Sequence, residues 1–178
     1  MKIACIGWGS LIWRPGDLKV QKVWFEDGPM LPIEFTRKSN DGRMTLIIDS
    51  LAKPVRTLWT LMTTDNINDS IRSLKEREGT PTSAIHHVLS NDNLSDPIKI
   101  IIKDWLISKN IDAAIWTGLS YREGEDRPSI EEVITKLLSL NYVTGKAAEE
   151  YIRKAPKQID TEYRRAIEKE LGWSPIEN

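Results

Sequence analysis

Cysteine and histidine are almost missing: Cys5 stands alone, and the two histidines are the adjacent His86 and His87. A lone cysteine excludes an internal disulfide and a thiolate metal cluster. No apolar run reaches 18 residues, so no segment reads as a membrane span. Neither sign of charge is in excess, with 25 Lys and Arg against 26 Asp and Glu. A nucleic-acid or anionic-membrane binder needs a basic face, and neither partner is expected. No repeat, low-complexity tract or Pro/Gly/Ser-rich linker interrupts the 178 residues, so a single domain over 1–178 is expected. The opening Met1-Lys2-Ile3-Ala4-Cys5-Ile6 is too short an apolar stretch for a signal peptide and leads straight into glycines. What remains is the expectation of a cytoplasmic enzyme or binding domain. Phenylalanine is also scarce, two residues against seven Trp.

Strand patterns fill the first third. Lys2 to Gly7 is a short apolar run, and Pro32 to Lys38 alternates Ile33, Phe35 and Arg37 with Glu34 and Thr36. Asn40-Asp41-Gly42 reads as a hairpin turn leading into Met44 to Ile48. Val55 to Met62 is rich in β-branched and aromatic residues and reads as one more strand. Helices follow. Thr64 or Asp65 is placed to cap one that carries Ile67, Ile71 and Leu74, and Asp96-Pro97 opens a second that ends near Asn110. Ile111 to Leu119 reads as a return strand. Ser129 with Glu132 makes a capping box. A shorter helix is expected over Lys146 to Lys154, and a last one from about Thr161 to Leu171, with Gly172 beyond it. The fold class is α+β, with a largely antiparallel sheet or barrel.

Ile6-Gly7-Trp8-Gly9-Ser10-Leu11 suggests a dinucleotide-binding turn, but Ile12 holds the position of the third glycine and Pro15-Gly16 opposes a following helix. Two readings of this turn stay open. Its glycines permit unusual dihedrals, or they bare backbone N–H groups for close approach to a polar or anionic ligand.

Ser73-Leu74-Lys75-Glu76-Arg77-Glu78-Gly79 is the second informative stretch. Glu78 lies four residues beyond Leu74 and so continues the apolar face, whereas Glu76 sits about 200° from Leu74, toward solvent. An inward glutamate is either salt-bridged, here with Arg77, Arg37 or Arg14, or chemically employed.

Together these stretches resemble the gamma-glutamyl cyclotransferase-like superfamily. The resemblance rests on the aromatic-Gly-Ser-Leu turn Trp8-Gly9-Ser10-Leu11, the strand Val55-Arg56-Thr57-Leu58-Trp59, and Glu76-Arg77-Glu78-Gly79, in that order over the first 80 residues. It implies a mixed β-barrel with surrounding helices and cleavage of a small gamma-glutamyl amide, peptide or amino acid to 5-oxoproline plus a free amine. Neither cofactor nor metal is implied. It assigns proton transfer to Glu78 and substrate binding to Gly7, Trp8, Gly9, Ser10 and Leu11. The chain departs from the family at Trp8, where tyrosine is usual. It departs again at Thr80-Pro81-Thr82-Ser83, where relatives carry a glycine–tyrosine segment. Those departures motivate the alternative of a non-catalytic small-ligand binder with the same fold.

The implied chemistry suits the residues. The substrate's own α-amine closes a five-membered ring on its γ-carbonyl, so no enzyme nucleophile is needed. A base must take the amine proton and return it to the leaving amine, and a partly buried glutamate has its pKa raised toward that task. Other candidates are weaker. Ser10 as a nucleophile has only His86 or His87 as base, and neighbouring strand residues face opposite sides. The histidines lack a third ligand at metal spacing and read as one packed and one exposed. Cys5 reads as a small buried side chain, and Trp105 and Trp116 as core, while Trp8 and Trp13 stand as core or pocket wall. Arg122, Glu123, Glu125, Asp126 and Arg127 read as a solvated loop. The segment Tyr151 to Trp173 reads as a helix packed on the barrel, with a lid or homodimer contact as the alternative.

Overall fold

The computed structural model describes residues 1–121 and 124–176, so Arg122 and Glu123 lie outside the described residues. In chain order the strands are β1 (Ile3–Gly7), β2 (Met30–Lys38), β3 (Met44–Ile48), β4 (Pro54–Arg56), β5 (Leu58–Leu61), β6 (Ile85–Leu89) and β7 (Ala113–Thr117). The helices are α1 (Ile67–Glu78), α2 (Pro97–Lys109), α3 (Ile130–Leu138), α4 (Tyr142–Lys154) and α5 (Glu162–Leu171). The class is α+β. The strands pair as two open sheets, in the orders β5-β1-β7-β6 and β3-β2-β4, and among the described residues no ring of strands closes into the expected barrel. The break lies at Thr57. Val55 to Met62 is not one strand: β4 belongs to the smaller sheet and β5 to the larger.

The chain divides into two compact units, each assembled from three stretches. The first comprises Met1–Gly7, Arg14–Leu31 and Arg56–Gly118; the second comprises Trp8–Trp13, Pro32–Val55 and Leu119–Asn178.

In the first unit, β1 runs antiparallel to β5 and parallel to β7, while β6 is antiparallel to β7. The two central strands are buried on both faces, which explains why Ile3 to Ile6 and Ala113 to Trp116 are unbroken apolar runs rather than alternating ones. Both α1 and α2 pack on β7 and β6. On α2, Trp105 meets Trp59 of β5 edge to face, with ring centroids 5.2 Å apart. The outer edge of β5 is paired with the segment before β2, through Gln21 N–H to Leu61 O at 2.9 Å and the reciprocal Phe25 and Trp59 bonds at 2.7 and 3.0 Å. At Thr57 the backbone N–H and the hydroxyl both donate to Pro29 O. Gly28 lies so close that a Cβ there would meet Thr57 O at 2.5 Å, so no larger residue fits.

Helix α1 is capped by Asn66, whose side chain accepts from the N–H groups of Asn68 and Asp69, one or two residues after the expected Thr64 or Asp65. Its buried stripe is Ser70, Ser73 and Leu74, with Ile67, Ile71 and Glu78 half-buried at the margin. Small hydroxyl residues let the helix approach its neighbours closely, and an apolar pattern does not reveal them. Helix α2 opens as expected, with Asp96 accepting from Ile98 and Lys99 and Pro97 in the first turn; Asn110 closes it at φ 54°.

In the second unit the hairpin β2–β3 turns through Gly42 at φ +86°. Residues Pro32 to Thr36 are all buried, so the Glu34/Thr36 side of β2 is covered as fully as the Ile33/Phe35 side. Helix α3 carries the capping box of Ser129 and Glu132 in full. Helix α4 starts at Tyr142 rather than near Lys146, because Asn141 caps it by accepting from Thr144 N–H. Its first turn carries the exposed Tyr142 and Val143, with Gly145 next, which hide the helix from its sequence. Helix α5 begins after Thr161 and ends at Gly172 in the left-handed region. Among the described residues no helix is long and apolar enough to cross a membrane.

Candidate functional site

Glu78 is the last residue of α1, and Gly79 turns the chain away at φ 60°. The left-handed conformation there suits glycine and stops the helix one residue past the carboxylate. The Glu78 side chain is 17% exposed and is paired with Arg77, whose Nη1 lies 2.7 Å from Oε1. The other terminal nitrogen of Arg77 donates to Arg14 O at 2.6 Å. Burial raises the Glu78 pKa above the ordinary carboxylate value, and the Arg77 charge and hydrogen bond reduce that rise without cancelling it. Glu76 is exposed, as the helical phase requires.

Cys5, on β1, feels the same group. Burial pushes its thiol up to about 12, with the Glu78 carboxylate adding to the rise and Arg77 opposing it. Cys5 is therefore a buried neutral thiol, not a nucleophile.

Of the turn residues, Gly7 ends β1 opposite Leu58, and the rest belong to the second unit. No helix follows the turn; Ile12 N–H closes it onto Gly9 O at 3.1 Å. Trp8 and Leu11 are buried and Ser10 is half-buried. The Trp8 indole donates to Leu46 O at 3.4 Å. Gly9 does not have a positive φ, so its dihedrals do not account for the glycine. Space does: a Cβ at Gly9 would lie 2.8 Å from the Tyr151 hydroxyl. Tyr151, on α4, is a residue that sequence reasoning missed in this role, since no local pattern links it to a turn 142 positions earlier.

The second unit also holds a buried polar cluster that the sequence did not reveal. Glu34 and Asp49 are each 2% exposed. Glu34 accepts from Phe35 N–H at 2.9 Å and from Tyr163 N–H at 3.3 Å, in the first turn of α5. Burial raises its pKa, against those bonds, the Thr161 hydroxyl and the Arg127 charge. Asp49 receives Arg127 Nε at 2.6 Å and Leu51 N–H at 3.0 Å. Burial alone would raise its pKa, but the Arg127 bond and the other donors outweigh it and lower it. Arg127, expected in a solvated loop, is instead paired and stacked 4.8 Å over the Tyr163 ring, whose hydroxyl donates to Pro128 O. Glu125 and Asp126 are exposed, as expected.

His87 is exposed and His86 half-buried, its ring set against Trp116 and filling the space beside Gly118. Burial and the Lys99 charge lower the His86 pKa. Among the described residues no three His, Cys, Asp or Glu side chains come together as a metal site. No protein-family model, curated protein or solved structure matches the chain.

Proposed function

We propose that the chain is a gamma-glutamyl cyclotransferase-like enzyme, with that family's fold, in which Glu78 moves the proton. The observation that carries this reading is a single carboxylate, held at a helix end by a left-handed glycine and given a raised proton affinity by burial. In the reaction the substrate's α-nitrogen bonds to its own γ-carbonyl carbon, and the bond from that carbon to the leaving nitrogen breaks. Glu78 accepts the proton from the attacking amine and delivers it to the departing one, so it is unchanged over a turnover. Closure of a five-membered ring supplies the proximity, which leaves the protein the tasks of orientation and proton transfer. The same reading gives the Gly7–Leu11 backbone the substrate carboxylate to hold, a role tested by substitutions in the turn itself. The partner implied is a small molecule bearing a gamma-glutamyl group.

The Arg77–Glu78 ion pair favours a second reading, in which Glu78 is structural and the chain binds a small ligand without turnover. Release of 5-oxoproline from a panel of gamma-glutamyl amines, peptides and amino acids separates the two. The enzyme reading expects release, and expects Glu78→Gln to lower it at least about 10²-fold with the fold intact. A folded wild-type chain that releases none from the whole panel, or a fully active Glu78→Gln, removes it.

A further inference from the structure

The turn after β1 is shaped by a residue far away in sequence. The Tyr151 hydroxyl lies where a side chain at position 9 would be, 2.8 Å from the Cβ that Gly9 lacks, and it accepts from Leu46 N–H at 3.3 Å. Its ring is fixed on several sides: Trp13, at the far end of the turn, meets it edge to face at 5.7 Å, and Phe35 does the same at 6.3 Å. The Arg43 guanidinium sits 5.7 Å from the ring centroid. Both ends of the turn therefore contact one side chain, Gly9 through the hydroxyl and Trp13 through the ring. The Trp8 indole and Tyr151 also bracket the same residue of β3, donating to Leu46 O and accepting from Leu46 N–H.

We propose that Tyr151 is the positioning residue of the Trp8–Trp13 turn: it holds the turn backbone in one conformation and thereby sets substrate affinity. The second half of that statement rests on the proposed cyclotransferase reading; the first does not. Gly9 and Tyr151 act as a matched pair, with glycine required because the hydroxyl occupies the space and the hydroxyl in turn fixing where the backbone lies. Aromatic packing alone would make Tyr151→Phe silent at the turn. A positioning role makes the missing hydroxyl felt there, because both the Leu46 bond and the stop against Gly9 are lost.

The test uses the full chain as wild type, Tyr151→Phe, Gly9→Ala and the double variant. Amide hydrogen exchange is read at Trp8–Ile12, alongside thermal melts and KM and kcat for 5-oxoproline release. In Tyr151→Phe the turn amides should exchange about tenfold faster while those of α5 keep their rates, a local effect on the scale of partial opening. KM should rise about three- to tenfold with kcat little changed, the mark of altered binding alone. Gly9→Ala should raise KM and lower the melting temperature, and adding Tyr151→Phe should recover part of both, because the methyl then has room. Turn amides that exchange at wild-type rates in Tyr151→Phe overturn the positioning role, as does strict additivity in the double variant. Faster exchange with an unchanged KM in an active protein overturns the link to affinity. Faster exchange in a chain that releases no 5-oxoproline at all leaves Tyr151 as the positioning residue and removes the cyclotransferase reading instead.

Discussion

Arg77 and Glu78 are consecutive on α1, about 100° apart around the helix, yet their side chains converge to 2.7 Å. Neighbours on a helix do not ordinarily face each other. This pair meets because Arg77 is drawn across by Arg14 O and Glu78 stands at the last turn. The cation therefore works against the burial that makes Glu78 a better base. Arg77→Gln removes the opposing charge, so the Glu78 pKa should rise further. On the proposed cyclotransferase reading, the acidic limb of the kcat/KM profile should then move to higher pH. An unmoved limb in a folded variant means that the titrating group is not Glu78.

Glu76 and Glu78 differ only in phase, and that difference is directly measurable. Glu76→Gln should alter activity and stability by about 0.5 kcal/mol or less, as exposed substitutions do. On the proposed reading, Glu78→Gln should lower turnover at least about 10²-fold while retaining a side chain of the same size. Loss of turnover in Glu76→Gln instead shows that the wrong carboxylate was assigned the proton.

Glu34 makes the second unit's stability depend on pH with a definite sign. Its pKa is raised in the folded chain, so the folded state binds its proton more tightly than the unfolded state does. Stability therefore falls as pH rises from the ordinary glutamate value, about 4.3, to the raised value, and levels off above it. Glu34→Gln removes the titration and keeps one acceptor oxygen where the carboxylate offers two, Oε1 to Phe35 N–H and Oε2 to Tyr163 N–H. Urea melts across that window should show a flatter slope in the variant than in the wild type. Equal slopes contradict the assignment.

Arg164 should be the most damaging position in α5. It is 2% exposed and donates to the carbonyls of Pro156, Ile159, Ile152 and Ala155, which closes the C-terminal end of α4. Arg164→Met leaves those acceptors short of donors and should destabilise the chain by about 3 kcal/mol, near the upper range for a lost buried hydrogen-bonding group. Arg165→Met, one residue on and exposed, is the matched control and should cost about 0.5 kcal/mol or less. Equal melting temperatures for the two variants contradict this account.

What could be read from the sequence was whatever local chemistry determines. Asp96-Pro97, Ser129 with Glu132, Asp41-Gly42 and Gly172 each fix a backbone geometry within a few residues, and each marks the element expected of it. The inward phase of Glu78 followed from the 3.6-residue period. What was hidden depends on partners far along the chain. Glu34 alternates with apolar residues like any solvent-facing strand residue, but the distant start of α5 packs on it. Thr57 looks like a strand interior, and it is Pro29 that turns it into a break. Arg164 lies in a charged helix, and nothing near it distinguishes it from Arg165. Gly9 is visible as a glycine, but the reason for it stands on α4.

The pairing of β1 also governs how the chain can be made. Cys5 lies between Thr60 on one side and Ile115 on the other. During synthesis β1 is made before both of its neighbours, with Thr60 following Cys5 by 55 residues and Ile115 following it by 110. Until then its apolar edge has no native partner, and long-range pairing of this kind is slow to form. A nascent chain truncated before Ala113 should therefore stay protease-sensitive through its first strand, and one extended past Thr117 should become resistant there.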